Sequence, residues 1–183
     1  MASFFDSIKN SFYQRSQRKS TVNIARRLLH YDACKSIGIL FDATEGESRY
    51  QIATYAKRLQ KAGKKVNLLA YVHADQIPGE LMEFASTYFQ DMEFAVFGKK
   101  DVNWANVPQG QAVQNFSQQS FDWLLCLYTQ SLPQLEYIVN ASMALARIGY
   151  YEPQANTLYY DVAISAEQHL PQYIEALHQT LKH

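Results

Sequence analysis

Glycine is scarce in this chain of 183 residues. There are seven, and they form neither a GxGxxG nor a GxxxxGK(S/T) run, the two arrangements that let a backbone close on phosphates. The stretch Asp42-Ala43-Thr44-Glu45-Gly46 holds one glycine and two carboxylates, a combination that opposes an anion and speaks against dinucleotide or ATP binding. Cysteine is scarcer still. Cys34 and Cys126 each lie in or beside an apolar run, and without CxxC or zinc-type Cys/His spacing they supply neither a disulfide framework nor a zinc site. The expectation is a reducing, cytoplasmic setting. No apolar run approaches the roughly 18 residues of a membrane-spanning helix, and the N-terminus has no apolar stretch of secretory type. Neither sign of charge prevails, with 17 basic and 17 acidic residues, so nucleic acid is not an expected partner. A GxSxG nucleophile turn is also missing.

What is present is apolar and aromatic: 48% hydrophobic residues and 14% Phe, Trp and Tyr, ample for a core. Residues 3–31 read as helical, from Phe4, Phe5, Ile8, Phe12, Ile24, Leu28 and Tyr31, with the polar stretch Gln14–Thr21 as a point where two helices could part. Short apolar runs then alternate with helical stripes. Ser36–Phe41, Val66–Val72, Phe94–Phe97 and Asp122–Tyr128 read as strands buried on both faces. Arg147–Tyr151, ending in Glu152-Pro153, and Leu158–Ile164 complete the set. Between them lie helical stripes at Ile52–Leu59, closed by Gly63, at Leu81–Tyr88 after Pro78, at Ala112–Phe116 and at Leu135–Leu145. A last helix opens at Pro171. Thr44 with Glu47, and Ser131 with Gln134, fit the capping-box pattern of helix starts.

This alternation predicts an α/β fold: a mostly parallel, Rossmann-like sheet with helices on both faces, preceded by a helical N-terminal arm. Residues 1–32 form the basic arm, with six Lys and Arg against two Asp, and residues 33–183 form a single α/β domain. The link from Tyr150 to Leu158 is short for a helical crossover, so the last strand is open to being antiparallel.

In a sheet of this kind ligands bind beyond the carboxyl ends of the strands, where the strand order switches. With Rossmann order the first and fourth strands flank that point. Asp42 and Thr44 on one side, and Tyr128, Thr129 and Ser131 on the other, are then the candidate ligand-binding residues, with Asp42 as an acid/base group. Lys99, followed by Lys100-Asp101 and close in sequence to Trp104, offers a cation at the end of the third strand. His73-Ala-Asp75 offers a base or a metal ligand after the second, although a lone His-x-Asp is more often a solvated turn. No metal site is expected, and the sequence names no cofactor. The arm, with Phe4, Phe5, Ile8 and Phe12 beside Lys9, Arg15, Arg18 and Lys19, could lie on an anionic surface, enter a partner's groove or drive self-association. Packing on its own domain is the plainer alternative.

The succession SIGILFDATEGES, VNLLAYV, FDWLLCL, ALARIGYY and LYYDVAIS resembles an uncharacterised, domain-of-unknown-function family of small Bacteroidetes proteins over nearly the whole chain. That resemblance implies no activity. Phe121–Leu127 with Ala144–Tyr150 is similar to the acceptor-side half of heptosyltransferase-type glycosyltransferases. Those enzymes bind a nucleotide sugar in a second Rossmann-like half for which this chain is too short, so no catalytic residue carries over. Two functions stay open. One is a soluble Rossmann-like binding or interaction module. The other is a small-molecule enzyme, related to sugar or nucleotide transferases, with its site at the ends of the first and fourth strands.

Overall fold

The first strand, β1 (Ser36–Asp42), sets the plan of the molecule. Its Ile37, Ile39, Leu40 and Phe41 are all fully buried, which a strand achieves only when both sheet faces are covered and both edges are paired. The computed structural model, which describes residues 4–152 and 159–182, shows both conditions met. β1 lies between β2 (Lys65–Tyr71) and β4 (Trp123–Leu127). β3 (Glu93–Phe97), β5 (Ala146–Tyr150) and β6 (Val162–Ile164) extend the sheet to the order β3-β2-β1-β4-β5-β6. Every pairing is parallel. This is the Rossmann order, with its switch between β1 and β4. β6 joins β5 in parallel through Ile148↔Val162 and Tyr150↔Ile164, so the antiparallel option is corrected. β6 also begins later than the apolar run suggests, and the expected boundaries at Pro153 and Leu158 lie outside the described residues.

Alternation along the strands feeds two cores. Ile37, Ile39 and Phe41 pack with Ile52 of α2 (Gly46–Lys61), Leu81 of α3 (Gly79–Tyr88) and Tyr173 of α6 (Leu170–Lys182). Leu40 and Leu69 pack on the other face with Phe116 of α4 (Gln111–Gln118) and Ile138 of α5 (Pro133–Ala141). Each fully buried aliphatic or aromatic side chain contributes roughly 1.5–3 kcal/mol. α2 ends as its sequence indicates: Gly63 takes φ +78° and donates its N–H to Gln60 O at 2.9 Å.

The helix starts differ from the capping-box expectation. α2 begins at Gly46 after Glu45, and α5 at Pro133 after Leu132, in neither case with a side-chain cap. Thr44 and Ser131 are drawn off by nearer carboxylates, Asp42 and Glu136, a competition open to any hydroxyl beside an acid. Pro78 stands just before α3. α5 stops at Ala141, so Ser142 and Leu145 lie beyond it.

The arm differs too. α1 (Phe4–Ser20) continues to the end of the polar stretch where two helices could part, and in place of a second helix residues 21–30 have no regular structure. Those residues are held by hydrogen bonds instead. The Arg26 guanidinium donates to Ala144 O (2.6 Å) and Ser142 O (3.0 Å), and Arg27 N–H to Leu145 O (2.9 Å). Carbonyls just past the end of α5 lack helical donors, and this segment supplies them. The arm therefore docks on its own domain.

Candidate functional site

The carboxyl end of β1 turns sharply into α2, and Asp42 organises the turn. Its Oδ1 accepts the Thr44 N–H at 2.9 Å and also the Thr44 hydroxyl. Thr44 Oγ1 in turn accepts the backbone N–H of His73 at 3.1 Å, tying the β1 loop to the β2 loop. Ser48 donates its hydroxyl to Asp42 O (3.1 Å) and Glu45 O (2.7 Å). Arg49, 7% exposed, braces the loop from behind. Its Nε donates to Ala43 O at 2.7 Å and its Nη1 pairs with Glu80 Oε1 at 3.1 Å. A buried guanidinium needs such partners for its donors. Among the described residues nothing hydrogen-bonds Asp42 Oδ2.

Across the switch point, β4 ends in Leu127, Tyr128 and Thr129. Tyr128 is nearly buried, and its phenol oxygen accepts the Tyr160 hydroxyl at 3.0 Å. Burial pushes both phenols well above their ordinary range, so both stay neutral. Gly149 makes this pair fit, because a Cβ there would stand 2.2 Å from the Tyr160 ring. Gln168 donates its Nε2 to Thr129 O at 3.1 Å, fastening the approach to α6 over the β4 end. The Thr129 side chain has no partner among the described residues.

The two loops enclose a cleft of about 320 Å³. Asp42, Thr44, Glu45 and Ser48 form one wall, and Tyr128, Thr129, Gln130 and Leu132 the other. Leu127 and Leu170 close the remainder. Of the six candidate residues, Asp42, Thr44, Tyr128 and Thr129 come together here. Ser131 lies outside the lining, engaged with Glu136. Lys99 is also outside, in the single turn Lys99–Asp101 after β3, and pairs with Asp75 at 3.6 Å. The same ion pair takes Asp75 away from His73, whose Nδ1 sits 3.0 Å from the Tyr71 hydroxyl. Among the described residues no group of three or more His, Cys, Asp or Glu is placed to hold a metal.

Sequence reasoning missed Glu45, Ser48, Gln130, Leu170 and the brace Arg49. Two of them left a signal: Glu45 is the second carboxylate of the turn that opposes an anion, and Arg49 precedes Ile52 by one helical turn, so it stands in register with the buried stripe of α2. Leu170 comes from a distant segment and could not be placed without the strand order.

The cleft's electrostatics are one-sided. Asp42 and Glu45 line it and no Lys, Arg or His does. The negative charge reaches its surroundings: burial, and after it the Asp42 carboxylate, pushes the Tyr71 phenol up. Cys34 and Cys126 offer no nucleophile, since both are buried, and burial raises the Cys34 thiol to about 12 and the Cys126 thiol further.

A family model described as a family of unknown function (DUF6913) matches residues 6–183. The chain belongs to this family. No curated protein matches this DUF6913 chain. Among solved structures it is similar to the catalytic domain of starch synthase IV from Arabidopsis thaliana bound to ADP and acarbose. The identity is 11% and the TM-score 0.46, over 96% of this chain and 35% of that one. It is also similar to the U34-tRNA thiolase NcsA from Methanococcus maripaludis with its [4Fe-4S] cluster. There the identity is 16% and the TM-score 0.33, over 67% of this chain and 46% of that one. The chain thus spans less than half of either structure, and with both TM-scores below 0.5 neither likeness bears on its function.

Proposed function

We propose that this DUF6913 chain is a cytoplasmic small-molecule-binding domain whose site is the β1/β4 cleft. Its ligand is a compact, uncharged or cationic hydrogen-bond donor, of polyol or amine type. One observation carries the reading: a concave cleft that presents carboxylates and hydroxyls among leucines lies at the strand-order switch, where open α/β sheets bind their ligands. Its chemistry narrows the class. Asp42 Oδ2 and the Glu45 carboxylate accept hydrogen bonds, Thr129 and Gln130 can give and accept them, and no cation is present to neutralise a phosphate. A volume of about 320 Å³ lies at the lower end for ligand pockets, roughly 300–1,000 Å³, which suits a compact ligand.

The concave cleft also favours a second reading, an enzyme in which Asp42 is the acid/base group. Binding is preferred because the cleft hydroxyl paired with a carboxylate, that of Thr44 with Asp42, is already engaged in the turn, where Thr44 Oγ1 also accepts the His73 N–H.

Thermal unfolding against uncharged, cationic and anionic metabolites tests the site. A ligand at a hundredfold excess over Kd stabilises the native state by about 2.7 kcal/mol, a shift of about 5–10 °C here. The expected result is a saturable shift with a polyol or amine, none with phosphates, and its loss in Asp42→Ala. A shift that survives Asp42→Ala, or none with any compound, overturns the proposal. Consumption of the bound compound would promote the enzyme reading.

A further inference from the structure

α1 docks by its polar side. The inward residues are Tyr13, whose hydroxyl donates to Pro133 O at 2.7 Å, and Gln17, which is 7% exposed. The Asn140 amide donates to Gln17 O at 2.8 Å, and the Tyr159 hydroxyl to Gln17 Oε1 at 3.0 Å. Its phenylalanines face out: Phe5 is 80% exposed and Phe12 52%, while Ile8 between them is half-buried. A domain-packing helix normally buries its apolar stripe, so this one is inverted.

The outward stripe is ordered. Phe5, Ile8, Phe12, Arg15 and Lys19 recur every three or four residues and share one side of the helix. A second element joins it: Trp104, 59% exposed, meets the Phe12 ring edge-on at 5.0 Å. Exposed basic groups stand beside these rings, and Ser11, Gln14, Arg15, Arg18 and Lys19 surround a hollow of about 380 Å³. Exposed aromatics next to a basic ridge fit a surface that is apolar beneath and anionic above.

We propose that the outer face of α1, together with Trp104, attaches this protein to an anionic lipid surface. The helix lies flat in the headgroup layer, Phe5, Phe12 and Trp104 enter the acyl boundary, and Arg15, Arg18 and Lys19 meet lipid phosphates. The geometry favours a bilayer over a partner's groove, because the rings stand on an outer ridge with cations alongside, as an interfacial helix presents them. No helix among the described residues is long and apolar enough to cross a membrane, so the attachment is peripheral. It does not depend on the β1/β4 cleft.

The test is co-sedimentation of the full chain at physiological salt. Vesicles of phosphatidylglycerol and phosphatidylcholine in equal parts are compared with phosphatidylcholine alone. Binding is expected to the mixed vesicles and to fall steeply as salt rises. Each cation near such a surface is worth about a fivefold change in partitioning, so Arg15→Glu with Lys19→Glu should weaken binding by at least about twenty-fivefold. Phe5→Ser with Phe12→Ser should abolish it while thermal unfolding stays cooperative, because α1 remains docked through Tyr13 and Gln17. Trp123 is fully buried, so a blue shift in tryptophan emission on binding reports Trp104 and should vanish in Trp104→Phe. Failure of the parent protein to sediment with the mixed vesicles overturns the proposal, as does binding that persists in the phenylalanine variant. A discrete dimer in sedimentation velocity, lost in that variant, would assign the face to a second copy and also overturn it.

Discussion

His178 of α6 is 1% exposed, wedged edge-on between the rings of Tyr31 and Tyr55, with its Nδ1 3.3 Å from the Tyr55 hydroxyl. Its Nε2 is buried without a hydrogen-bond partner among the described residues. Burial lowers its proton affinity, the Arg58 and Lys182 charges lower it further, and Glu175 opposes them only in part. The folded protein therefore protonates His178 only at a lower pH than the unfolded chain, which takes up a proton near pH 6.5. Stability is full above that value and declines as the pH falls through it. The urea midpoint should be lower at about pH 5.5 than at about pH 7.5, and His178→Phe should flatten this particular decline. At this scale the sequence was only partly legible. Asp42 and Thr129 could be placed because strand ends follow from apolar runs. The inversion of α1 could not, because spacing shows that Phe5 and Phe12 share a side but not which way the side faces. Tyr13 and Gln17 decide that through hydrogen bonds to residues more than a hundred positions away.

Among the elements, β5 and β6 show how backbone space reaches the cleft. The Tyr160 ring lies over Gly149, and the Tyr160 hydroxyl fixes Tyr128 at the cleft wall. Gly149→Ala should displace the ring, break that bond and cost about 1–3 kcal/mol. It should also weaken ligand stabilisation in the thermal assay. A variant that keeps full ligand response would show that Tyr128 needs no such support. Strand identity was legible because Ser36–Phe41 and Asp122–Tyr128 are continuous apolar runs. The strand order was not legible, because long crossovers make successive strands parallel but leave more than one order open. The direction of β6 was not legible, since the link after Tyr150 is irregular and its length alone does not fix the pairing. Helix starts were misread for a different reason: Asp42 and Glu136 hold the hydroxyls that the capping pattern assigned to α2 and α5.

At the scale of the whole molecule, α1 is attached by a handful of polar contacts, and most of the core lies elsewhere. A chain lacking residues 1–20 should still unfold cooperatively, with a melting temperature lower by about 4–8 °C for a loss of about 2 kcal/mol. Asn140 keeps its bond to Thr21 Oγ1 at 2.8 Å in that chain, which limits the damage. A non-cooperative melt would show instead that α1 is part of the folding unit. The sheet order carries a further consequence, for the chain as it is made. β1 is central, yet its partner on one side arrives late: the Ser36 N–H bond to the Asp122 carboxylate spans 86 residues. At about 5–20 residues per second, a ribosome takes several seconds to cover that distance. Within that interval first β2 and then β3 emerge and can assemble with β1, while the other side of β1, among the most apolar of the strands, presents an open edge to any other nascent chain nearby. The hazard for this protein is therefore concentrated in its birth, and its guardian in that window is whatever covers the β1 edge until Trp123–Leu127 emerges.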